Sequence, residues 1–133
     1  MHKRSKLSKI KELLDFEIGF YESLLSGDPG FADALMALGE AYTRRGFYDK
    51  GLEADLRLAK LRPTHPVVWY NLACSYSLLK RPMDSLHALQ HAIKLGYDDF
   101  SYVSQDPDLA PLRQSPEFKR FLESLSASHS RPS

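Results

Sequence analysis

The stretch Leu35-Met36-Ala37-Leu38-Gly39-Glu40-Ala41-Tyr42, which continues to Pro63, is written a second time from Trp69 onward. Leu38-Gly39-x-x-Tyr42 aligns with Leu72-Ala73-x-x-Tyr76 at an offset of 34 residues. Gly51, Leu58 and Leu61 fall on Ser85, Ala92 and Leu95 at the same offset, with no gap. A period of about 34 residues is the length of one helix–turn–helix unit in a helical solenoid. The predicted fold is therefore all-α, an antiparallel helix-hairpin stack of about six or seven helices.

The first hairpin is predicted as helices over 32–45 and 48–61, with Gly46-Phe47 turning the chain. Arg62-Pro63-Thr64-His65-Pro66 breaks the second helix, because proline lacks the donor that the helical ladder needs. The second hairpin follows as helices over 67–79 and 83–95, with a turn at Lys80-Arg81-Pro82 and Gly96 at the C′ position. Upstream, Ile10, Leu13, Leu14, Ile18, Tyr21, Leu24 and Leu25 recur at steps of three and four, the period of an amphipathic helix over 8–26. Gly27-Asp28-Pro29-Gly30 ends it.

Downstream of Gly96 the period is lost. Asp106-Pro107 and Ser115-Pro116 each read as an N-cap followed by proline at the first helical position. The second of these predicts a last helix from 116 to about 125, with Phe118, Phe121, Leu122 and Leu125 inward. The expected organisation is a basic flexible N-terminus over 1–7, one domain over 8–125 and a disordered tail over 126–133. Within the domain stand a capping helix (8–26), two repeats (32–65 and 66–99) and a C-terminal capping segment (100–125).

The chain of 133 residues is one domain's worth, 43% hydrophobic and 26% charged, with a formal net charge of +1. That balance predicts no broad attraction to nucleic acid or membrane. Lys3, Arg4, Lys6, Lys9 and Lys11 crowd the N-terminus, where a solvated lead into the first helix explains them better than a binding patch. Charged residues interrupt every apolar run near the start, so neither a signal peptide nor a membrane span is expected, and the cytoplasm is the default location. The one cysteine, Cys74, excludes an intramolecular disulfide framework.

These residues resemble the tetratricopeptide repeat family over roughly 18–99. Leu35, Leu38, Gly39, Tyr42, Gly46, Tyr48, Gly51, Leu58 and Pro63 carry the likeness in the first repeat. Trp69, Leu72, Ala73, Tyr76, Ser85, Leu89 and Ala92 carry it in the second. Small residues at Gly39, Gly51, Ala73, Ser85 and Ala92 allow two helix axes to approach to about 8–10 Å. Three positions depart from the pattern: Glu17 where a small residue belongs, Lys80 in place of the turn glycine, and Tyr97 in place of the closing proline. The segment from Gly96 through Phe118 is similar to the closing segment of many bacterial repeat proteins, which implies a bacterial origin.

Candidate chemistry is sparse. His87 and His91 stand four apart on one helix, as a metal pair would, but no third ligand is in place. Asp98, Asp99, Asp106 and Asp108 lack the glycine and closing glutamate of a calcium loop, and helix capping accounts for Asp106. Cys74 sits among apolar neighbours that do not activate a thiol. The expectation is no catalytic residue, no metal ligand, no cofactor and no enzyme activity.

The resemblance implies a non-catalytic protein–protein interaction module that holds a peptide or helix of another protein on the concave face. The residues expected to line it are Met36, Glu40, Arg44, Tyr70, Cys74 and Leu78. Some family members clamp acidic chaperone tails there through basic and amide side chains. Met36, Glu40, Val67 and Tyr70 stand where that clamp belongs, so such a tail is not the expected partner. Two alternatives remain open: self-association of the chain, and an accessory or metal-binding protein using His87 and His91. Also open is whether Phe118 and Phe121 of the last helix fill the apolar half of the face.

Overall fold

The computed structural model describes residues 5–130. Among them every regular element is helical: α1 (Lys6–Gly27), α2 (Ala32–Arg45), α3 (Tyr48–Leu61), α4 (Pro66–Leu78), α5 (Pro82–Lys94), α6 (Phe100–Val103), α7 (Ala110–Arg113) and α8 (Pro116–Ser130). A 3-10 turn, Pro107–Leu109, separates α6 from α7. The described residues form two compact units, one ending at Thr64 and the other starting at His65. No helix among them is long and apolar enough to cross a membrane.

In the first unit α1 starts at Lys6, because the Ser5 hydroxyl accepts the Ser8 N–H at 3.1 Å and caps the helix. Lys6 and Leu7 thus leave the N-terminal segment expected to be flexible, and Lys3 and Arg4 lie outside the described residues. Leu14, Ile18 and Leu25 bury one face of α1, which packs on α2. Two polar ties fix their register: Tyr42 donates to Glu22 at 2.6 Å, and Arg45 pairs with Asp15 at 2.8 Å.

The α2–α3 hairpin depends on absent side chains. A Cβ at Gly51 would stand 2.8 Å from the Thr43 hydroxyl oxygen, and that hydroxyl donates to the Gly39 carbonyl at 3.0 Å. α2 stops at Gly46, whose φ of +88° is left-handed. Its N–H donates to the Thr43 carbonyl, and the Phe47 N–H reaches back to the Tyr42 carbonyl at 2.8 Å.

The second unit repeats this hairpin with other residues. Ala73 and Ala92 are fully buried at the α4–α5 crossing, and the Ser85 hydroxyl donates to the Ala73 carbonyl at 2.7 Å. The closing turn reappears with each hydrogen bond moved by 34 positions: Lys80 N–H to Ser77, and Arg81 N–H to Tyr76, both at 3.0 Å. Lys80 takes the glycine's place and adopts φ +61°, a conformation that costs a side-chain-bearing residue about 1–2 kcal/mol.

Beyond the hairpin the details differ from expectation. Gly96 does close α5 at φ +113°, and Asp99 caps the single turn of α6 by accepting the Tyr102 N–H at 3.1 Å. Short turns α6 and α7 raise the α-helix count to eight among the described residues. Ser115 caps α8 through the Phe118 N–H at 3.2 Å, as its sequence suggests. α8 then continues to Ser130, five residues past 125, so 126–130 are helical where a disordered tail was expected. Ser126-Ala127-Ser128 holds neither proline nor glycine to stop it, and 131–133 lie outside the described residues. Phe118 is buried and Phe121 half-buried, but Leu122 faces solvent. The inward placement expected of Leu125 falls outside the described side chains.

Candidate functional site

Tyr70, Cys74 and Ser77 lie at steps of four and three on one face of α4, and the chain's own segment between α6 and α8 covers them. Asp106 enters as a buried carboxylate, 4% exposed. Its Oδ2 accepts the Tyr70 hydroxyl at 2.5 Å and the Cys74 thiol at 3.7 Å. Its Oδ1 accepts the Asp108 N–H at 3.0 Å and so starts the 3-10 turn. One carboxylate thereby satisfies two side chains of α4 and one backbone donor of its own turn.

Neighbouring groups hold this carboxylate in place. Ser77 accepts the Leu112 N–H at 3.1 Å, and Leu109 and Leu112 are fully buried. Arg113 clips the loop shut, donating to the Val103 carbonyl at 2.9 Å and the Asp106 carbonyl at 2.7 Å. Tyr97, at the position of the missing closing proline, stacks on Tyr70 with ring centroids 4.3 Å apart and an interplanar angle of 6°. Phe118 and Phe121 sit elsewhere, on a helix that packs against α5 and α7. The cover over this face is the Asp106–Leu112 segment, not the last helix.

The electrostatics oppose nucleophilic chemistry. Burial, together with the Asp106 and Asp108 carboxylates, pushes the Cys74 thiol well above its ordinary range, so it stays protonated at neutral pH. Burial and the hydrogen bond to Asp106 raise the Tyr70 phenol in the same direction. Asp108 is also raised, by burial first and Asp106 second. His91 lies edge-on against Trp69 with ring centroids 4.2 Å apart. Among the described residues no three His, Cys, Asp or Glu side chains converge to hold a metal ion.

The six residues expected to line one binding face therefore have different surroundings. Tyr70 and Cys74 are buried beneath Asp106, at 4% and 7% exposure, and Leu78 is half-buried at the end of α4. Met36, Glu40 and Arg44, in the first unit, follow one another at steps of four along α2. Met36 is half-buried; Glu40 and Arg44 are exposed. Around the other side of α2 an open cleft of about 170 Å³ is lined by Glu22, Tyr42, Lys50, Glu53 and Arg57. Burial, the Glu22 carboxylate and Glu53 raise the Tyr42 phenol above its ordinary range. The sequence reading missed Asp106 as a partner of α4; only its role as a cap was readable from the proline that follows it.

No protein-family profile matches the chain. It is 37% identical over 93 residues to a chloroplastic protein of Arabidopsis thaliana, a match that covers 68% of this chain and 28% of that protein. It is 31% identical over 64 residues to a TPR repeat-containing protein of Methanocaldococcus jannaschii, covering 47% of this chain and 11% of that one. The chain thus spans less than a third of the length of these relatives. One is a plant protein and the other archaeal, so neither speaks for a bacterial origin. The all-α hairpins and the archaeal likeness fit a tetratricopeptide-like helical repeat.

Proposed function

We propose that this chain is a non-catalytic protein-interaction module of the tetratricopeptide-repeat kind, working in the cytoplasm and using the exposed face of α2. The observation that carries the reading is the hairpin built twice, with the same closing hydrogen bonds at Gly46 and Lys80 and the same close crossing of small residues. A fold devoted to repeating one packing unit leaves recognition to the off-pattern side chains. On α2 these are Met36, Glu40 and Arg44, one apolar residue followed by a charge of each sign, suited to a peptide or helix of another protein. Tyr70 and Cys74 serve this module indirectly, by anchoring the Asp106 turn.

Its test is photocrosslinking from position 36, with position 56 on the exposed side of α3 as control. A partner captured from 36 and lost in an Arg44→Glu variant of unchanged helicity supports the reading. Equal capture from both positions removes α2 as the binding face.

A further inference from the structure

α1 carries more apolar surface than its place in the fold uses. Ile10, Leu13, Phe16, Phe20 and Leu24 are 51%, 65%, 74%, 52% and 37% exposed, while Leu14, Ile18 and Leu25 supply the buried side. At 3.6 residues per turn, Ile10, Leu13, Phe20 and Leu24 form a second seam with Phe16 beside it, interrupted once by Glu17. At about 150–200 Å² for each large side chain, the five expose roughly 500 Å², the upper end of what a single-chain surface carries. Two copies placed seam to seam would remove at most about 1,000 Å² of apolar surface, which reaches the threshold for a specific interface.

The charges select the occupant and its direction. Lys6, Lys9 and Lys11 stand at the start of α1, and Glu12, Asp15, Glu17, Glu22 and Asp28 follow. The first turn has no acidic residue and the last turn no basic one. This order opposes the helix's own dipole, which favours carboxylates at the N-terminus and cations at the C-terminus. An antiparallel second helix reverses the cost. Setting Leu13 against Leu24 of the second copy brings Lys9 to Asp28 and to the carbonyl end of that helix. A parallel pair would instead crowd the lysines together, and an anionic membrane would meet the carboxylates that follow Lys11.

We propose that α1 pairs antiparallel with α1 of a second copy of this chain, an isologous interface built on the Ile10–Leu24 seam. This does not rest on the α2 reading.

Sedimentation equilibrium of the full chain over a wide concentration range tests it. The expected result is a monomer–dimer equilibrium whose dissociation constant rises at least about 100-fold in Phe16→Glu/Phe20→Glu. Both side chains are exposed, so circular dichroism should show the fold retained. Lys9→Glu should weaken the dimer, and adding Asp28→Lys should restore it. A wild-type monomer at every concentration overturns the proposal, as does a dimer that ignores Phe16→Glu/Phe20→Glu. A charge swap that restores nothing overturns the antiparallel pairing. Flotation with phosphatidylserine vesicles by a chain that stays monomeric assigns the seam to a membrane and overturns it too.

Discussion

Asp106→Ala is the substitution to which the second unit should be most sensitive. The carboxylate accepts the Tyr70 hydroxyl at 2.5 Å where both groups are buried, and a hydrogen bond to a charged group is worth about 1.5–3 kcal/mol. Its other oxygen caps the 3-10 turn, and loss of a cap costs about 1 kcal/mol. The Cys74 thiol, a weak donor at 3.7 Å, adds little. The expected loss is about 2.5–4 kcal/mol. Tyr70→Phe alone should cost about 1.5–3 kcal/mol, since it leaves the buried carboxylate without its shortest partner. Tyr70→Phe/Asp106→Ala removes both members of the pair, so its cost should fall short of the sum by about 1–2 kcal/mol. Trp69, the chain's one tryptophan, lies beside Tyr70 in α4 and touches His91. Urea unfolding followed by its fluorescence therefore reads this unit directly. Additivity within about 0.5 kcal/mol, or an Asp106→Ala cost below about 1 kcal/mol, would show that Tyr70 and Asp106 are not coupled through this hydrogen bond.

Three further outcomes are expected. Lys80→Gly relieves a left-handed lysine and should stabilise the chain by about 0.5–1 kcal/mol, less than the full strain because glycine also frees the unfolded chain; an unchanged melting temperature contradicts it. Ala73→Leu and Ala92→Leu, at fully buried crossing positions, should each cost about 1–3 kcal/mol by overpacking, which the same urea titration measures. For Asp108 the folded-state pKa lies above the unfolded value. The folded protein binds the extra proton, so stability falls as pH rises through that interval. Asp108→Asn should accordingly raise the melting temperature at neutral pH and lose that advantage below the ordinary aspartate range. A constant difference across pH would show that burial of the charge is not the cause.

The hairpins were legible because their information is local and written twice. The period of 34 places Leu35, Leu38 and Tyr42 over Trp69, Leu72 and Tyr76, and α2 and α3 begin and end where that pattern puts them. The closing turn was legible at both Gly46 and Lys80; the left-handed backbone was readable only from the glycine, because lysine adopts that conformation only when the surrounding bonds impose it. The cover over α4 was not legible. Tyr70 and Asp106 are 36 positions apart, in segments that share no period, and capping alone already explains Asp-Pro. The exposed seam of α1 escaped for a different reason. Its apolar residues fit an amphipathic pattern, and a pattern marks which side chains share a face without saying how many faces are covered.

The Asp106–Leu112 segment seals the face of α4 that carries Tyr70, Cys74 and Ser77. Cys74 is the one cysteine, is 7% exposed and lies directly under Asp106. Its rate of reaction with a thiol reagent such as Ellman's in the native protein reports directly on that seal. Labelling should be slow in the wild type, faster in Asp106→Ala and immediate in urea. Prompt, stoichiometric labelling of the native wild type would show this face to be open and the Asp106 cover absent.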